Sequence, residues 1–135
     1  MPLYEWTPFY SVHVNDFDRQ HQRLFVMIND LHEAMETGRG KAVLGVVLAG
    51  LVAYALEHFT AEENAMQSTA YPNFPVHREQ HQEFMKRISG FLTEYESGNT
   101  LISVNVLRYL NTWLQTHILR SDQAYSSHMN EHGIF

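Results

Sequence analysis

Residues 58–66 read HFTAEENAM and follow a long apolar run, AVLGVVLAGLVAYAL, at 42–56. His58 and Glu62 stand four positions apart, about 400° of helical rotation, so on a helix their side chains lie roughly 40° apart on one face. A carboxylate on so greasy a helix must pair, coordinate a metal or reach solvent, because an unpaired buried charge is very costly. Which of these holds depends on what the rest of the chain brings to that face.

The 135 residues suit one domain, 1–135, and a chain near that length buries about two-thirds of its unfolded surface. Hydrophobic residues at 44% and charged residues at 18% fit a globular protein rather than a disordered one. A net charge of −6 leaves no basic stripe to displace phosphate counterions, which speaks against nucleic acid as a partner. The absence of cysteine excludes disulfides, thiolate zinc sites, iron–sulfur clusters and a catalytic thiol. The N-terminal MPLYEWTPFYSV lacks the basic-then-apolar pattern of a signal peptide. The 42–56 run is shorter than the ~20 residues needed to span a bilayer and contains two glycines, so it reads as a core helix. A soluble, cytoplasmic protein is expected.

Four segments carry helical periodicity between breakers. The first runs from about Arg19 to Thr37 with Asp18 as N-cap, and GRG (38–40) ends it. The second runs from Lys41 to about Met66. After STAYPNFP (68–75), the third opens with Pro75 in its first position and runs to about Ser97, where SGN stops it. The fourth runs from about Leu101 to Ser126. Short connections between long helices predict an all-α, up-down-up-down four-helix bundle with an N-terminal arm and a short C-terminal tail.

Nine histidines are scattered along the chain, and their positions on these helices are not random. His21 shares a stripe with Leu24, Phe25, Ile28 and Leu31. His77 and His81 continue a stripe through Phe84, Ile88 and Phe91, and His117 follows Leu110, Trp113 and Leu114. In alternating topology, His21 lies near the start of its helix, His58 and Glu62 near the end of theirs, His77 and His81 at a start and His117 near an end. All fall at one end of the bundle, where Glu62 has a cation for company. Asp122 is the remaining acid candidate. It stands five after His117, about 140° away on a regular helix, so the fourth helix is expected to be distorted near LRSD (119–122) by a wide turn.

Imidazole and carboxylate suit iron, zinc, copper or nickel better than calcium or magnesium. Two six-coordinate ions offer about twelve positions; five imidazoles, two bridging carboxylates and one bridging oxide or hydroxide leave one open. One vacancy in an apolar pocket suits a small neutral diatomic ligand. Oxidative ferritin-like di-iron sites use four Glu with two Glu-x-x-His pairs, and this chain has none.

The segments WTPFYSV (6–12), DRQHQRLF (18–25), HFTAEENAM (58–66), YPNFPVHREQH (71–81) and WLQTHILRSDQAY (113–125) together resemble the hemerythrin family, and its single-domain bacterial members in particular. The resemblance implies reversible dioxygen binding at a non-haem centre of two iron ions with a bridging oxide or hydroxide. It assigns His77, His81 and His117 to one iron, His21 and His58 to the other, open iron, and Glu62 and Asp122 to bridges between them. It makes Phe59, Trp113, Leu114 and Ile118 the walls of an apolar oxygen pocket. His13 stands where the family usually has a small residue, often glycine, and is expected on the surface, as are His128 and His132. His32 faces inward by periodicity but lies about 16 Å of helical rise from His21, too far to be a ligand.

An oxygen carrier, without turnover, is the expected role; a sensor module and a di-iron peroxidase or nitric-oxide scavenger are the alternatives. A monomer is expected. The outward face of the second helix, Ala42, Gly45, Val46, Ala49, Ala53 and Leu56, is small and apolar, which permits self-association, a client protein or a membrane-bound oxygen consumer as partner unless loops or the arm cover it.

Overall fold

The computed structural model describes residues 3–99 and 101–135, so the first two residues of the expected arm lie outside it, as does Thr100. Four long helical stretches form the bundle: α1 (Asn15–Glu36), α2 (Gly40–Ser68), α3 (Phe74–Glu96), and α4 (Ser103–Trp113) with its continuation to Asp122. A short α5 (Ser126–Glu131) follows, where a plain tail was expected. α1 packs antiparallel on α2 and also on α4, and α2 packs on α3.

Helix α1 begins four residues earlier than the sequence pattern predicts, with Val14 rather than Asp18 at its N-cap. The apolar stripe extends back to buried Phe17, so the first turn is held by packing. Asp18 sits inside that turn and serves the arm instead. Its carboxylate accepts from the Val12 N–H at 2.8 Å and from the Ser11 hydroxyl at 2.6 Å. Next to this anchor His13 adopts φ +60°, the left-handed region that favours glycine, which accounts for the small residue expected there. His13 is exposed. Pro75 takes the second position of α3, because Phe74 already belongs to the helix.

Helix α2 is 29 residues long, well beyond the apolar run alone. By length and hydropathy it could cross a membrane, yet Leu44, Val47, Leu48, Leu51 and Tyr54 on its inner face are buried in the bundle core. Its outward strip is exposed among the described residues, Val46 at 75% and Leu56 at 60%. Gly45 departs from that expectation: a Cβ there would lie 2.8 Å from the Tyr95 hydroxyl, so α3 leans over it. Among the described residues, the arm does not cover the strip. Tyr4, Trp6 and Tyr10 pack their rings on Phe25 of α1, and the Gln123 side chain donates to the Phe9 carbonyl at 2.7 Å.

Two apolar clusters divide the interior. The larger runs through all four helices, and the smaller gathers Val12, Val14, Phe17, Met66, Tyr125 and Met129 at one end. Between them lies a layer of buried polar side chains.

Candidate metal centre

His21, His58, Glu62, His77, His81, His117 and Asp122 are all within 3% of full burial. Every residue expected in the centre is therefore brought to one place, by the spacing that puts i and i+4 on one helical face. Asp122 reaches it because residues Leu114–Asp122 wind as a π-helix. With i→i+5 bonding, a five-residue step is close to one turn, so Asp122 comes round beneath His117. Their Nε2 and Oδ1 are 2.9 Å apart. The distortion expected near 119–122 is thus present and begins earlier, at Leu114.

Asp122 divides its two oxygens. Oδ2 faces His21 Nε2 at 3.0 Å, and Oδ1 faces both His77 and His117 at 2.9 Å. Glu62 presents Oε1 to His81 at 3.1 Å, His58 at 3.4 Å and His77 at 3.7 Å. Its other oxygen accepts a hydrogen bond from Tyr125. The donor atoms fall into two groups that share both acids: Glu62, His77, His81, His117 and Asp122, and His21, His58, Glu62 and Asp122.

The second nitrogen of three imidazoles is held by a neighbour. His58 Nδ1 bonds Gln20 Oε1, His81 Nδ1 donates to Glu63 Oε2 at 2.8 Å, and His117 Nδ1 donates to Gln80 Oε1 at 2.8 Å. Each supporting residue comes from the preceding helix: α1 supports α2, α2 supports α3, and α3 supports α4. These bonds place the proton on Nδ1 and aim the Nε2 lone pair inward. Among the described residues the five Nε2 atoms, Glu62 Oε1 and both oxygens of Asp122 have no hydrogen-bond partner. Lone pairs facing lone pairs in a dry interior need cations between them. Donors about 2.1 Å from a common ion at right angles sit about 3 Å apart, which matches the closest spacings here.

The charges respond to this crowding. Burial pushes His58 down to about 3, against the pull of Glu62. Burial also opposes a proton on His77, but the facing carboxylates of Asp122 and Glu62 prevail and raise it to about 10. Burial favours a neutral Asp122, yet His117, with His21 and His77, holds its carboxyl well below the usual range. Burial likewise drives the Tyr125 phenol well above its ordinary value, reinforced by Glu62 and Asp122, so it remains a donor.

The Hemerythrin HHE cation binding domain family matches residues 12–128. The chain belongs to the hemerythrin family. It is 33% identical over 132 residues to a bacteriohemerythrin of Stenotrophomonas maltophilia, spanning 98% of this chain and 85% of that one. It is 29% identical over 126 residues to a bacteriohemerythrin of Methylococcus capsulatus, spanning 93% and 95%. A wild-type hemerythrin crystal structure superposes with a TM-score of 0.85 at 28% identity, covering 94% of this chain and 98% of that chain. The four-helix bundle is therefore the hemerythrin fold, and its buried cluster has a hemerythrin-type iron-binding role.

The remaining histidines lie away from this hemerythrin centre. His32 is half-buried rather than inward, with Nε2 2.7 Å from Glu36 Oε1. His128 is half-buried rather than exposed, its Nε2 3.0 Å from the Thr69 carbonyl, tying α5 to the α2–α3 turn. His132 is exposed. Sequence reasoning missed Gln20, Glu63, Gln80 and Tyr125. The first three each adjoin a residue of the centre, and that adjacency was the available signal.

Phe59, Trp113, Leu114 and Ile118 are all buried in the larger apolar cluster. Phe59 stacks on His81 at 3.8 Å and Trp113 on His117 at 4.0 Å, with the two rings 6.0 Å apart.

Proposed function

We propose that this chain binds dioxygen reversibly at a di-iron centre, for storage, transport or delivery to a partner, and does not turn over a substrate. The observation that carries the reading is the inequality of the two donor groups. One has three imidazoles and two carboxylates, and the other has two imidazoles and the same carboxylates. With a shared oxide or hydroxide the first group fills six positions and the second leaves one of six open. When bound, the iron pair would supply that open position and the electrons on which dioxygen uptake draws.

The chain's own residues account for the rest. His77, His81 and His117 would hold the filled ion and His21 and His58 the open one, with Glu62 and Asp122 between. Gln20, Glu63 and Gln80 fix the tautomers of His58, His81 and His117, so no ring must turn over for binding. Tyr125 keeps its proton and holds one oxygen of Glu62. Phe59, Trp113, Leu114 and Ile118 exclude water, which slows proton delivery and release of reduced oxygen.

The test is iron content together with the visible spectrum through repeated cycles of reduction, air and argon. Two irons per chain and a charge-transfer band that appears in air and fades under argon are expected. Irons that oxidise at once and do not return would overturn reversible carriage.

A further inference from the structure

Tyr54 is 1% exposed, and among the described residues its hydroxyl has no hydrogen-bond partner. A phenol is a neutral O–H donor at pH 7. Leaving such a donor buried without an acceptor is costly, and a tyrosine with no use for its oxygen would be better replaced by phenylalanine. The position of the side chain says what the oxygen is for.

Tyr54 stands one turn before His58 on α2, as Trp113 stands one turn before His117 in the fourth stretch and Phe25 one turn after His21 on α1. In antiparallel helices these residues share a layer, about 6 Å from the metal-binding layer and on the side of the larger core. The Tyr54 ring stacks beside His58 with centroids 5.2 Å apart and planes 16° apart, and it meets the edge of Phe59 at 6.3 Å. His58 belongs to the donor group that is one ligand short. The Trp113 Nε1–H is also unpartnered, but that ring stacks on His117, in the filled group. His21 Nδ1 is unpartnered as well, but it belongs to a ring that would itself hold the ion, so among the described residues Tyr54 is the unused donor beside that group on a side chain that is not a ligand.

We propose that the Tyr54 hydroxyl donates a hydrogen bond to the small ligand taken up at that position, dioxygen or a small anion, and so sets how tightly it is held. This rests on the di-iron reading above. It gives an otherwise apolar pocket one directional polar contact, which favours ligands that carry or acquire negative charge over neutral ones of the same size.

Tyr54→Phe removes the hydroxyl and keeps the ring, and azide serves as the anionic probe on the oxidised, iron-loaded protein. The metal-free variant should unfold at the same temperature as the parent or slightly higher, because no bond within the protein is lost. Its iron content should be unchanged, while its azide dissociation constant rises about tenfold and dioxygen leaves faster. The stretching band of bound azide should shift in heavy water more in the parent than in the variant. Equal azide affinity with equal heavy-water response would overturn the assignment, as would lower stability of the metal-free variant, since the hydroxyl would then have a protein partner. Those results leave the di-iron reading intact. A parent that loads two irons and takes up neither azide nor dioxygen overturns both.

Discussion

Glu63 is where the support of the centre carries a full charge. Gln20 and Gln80 offer neutral amide oxygens to His58 and His117, whereas Glu63 offers a carboxylate to His81 at 2.8 Å while remaining 26% exposed. A carboxylate partner makes an imidazole a stronger donor to a metal. Glu63→Gln keeps the hydrogen bond and removes the charge. A roughly tenfold loss of iron affinity is expected, measured by competition against a chelator, with the fold unchanged. Six of the seven central residues were legible from the sequence because helical spacing brings each to the inner face, and Asp122 because its misfit with that spacing called for a distorted turn. Glu63, Gln20 and Gln80 were not. One step along a helix turns a side chain by about 100°, away from its own site neighbour and toward the next helix, and only the packed bundle shows which imidazole it meets.

The helices show the same contrast between local and packed information. Repeats of three and four residues gave α1 to α3 to within a few residues, with the largest discrepancy at the start of α1, where Phe17 joins the core. His117 and Asp122 did not fit that repeat, and their mismatch located a distortion. Its full extent, from Leu114, was hidden because apolar side chains tolerate both windings. Helix α2 offers a direct check of which face is which. Ala49 is exposed and Leu51, two residues on, is fully buried. Ala49→Glu should leave stability within about 0.5 kcal/mol of the parent, since the position is exposed and Glu forms helix well. Leu51→Ala should cost about 2–5 kcal/mol through the cavity it leaves. Urea unfolding of the two variants measures both, and similar losses in the two would mean that the outer strip is covered.

At the scale of the whole molecule, the bundle encloses a layer of lone pairs that only cations or protons can reconcile. Iron binding and folding are therefore linked, because the arranged ligands exist only in the folded chain. At iron concentrations about a thousandfold above the dissociation constant the linkage amounts to about 4 kcal/mol, on the order of 10–20 °C in a domain this size. Chelation should lower the thermal midpoint by that much, and an unchanged midpoint would mean that the cluster is not the binding site. The layer is covered on one side by Val12, Val14 and Phe17 from the first part of the chain and by Tyr125 and Met129 from the last. During synthesis the early half of that cover must wait for the late half. Until Met129 has left the ribosome the layer cannot be closed, and because His117 and Asp122 also come late, the metal's full set of ligands and the cover over them are completed almost together.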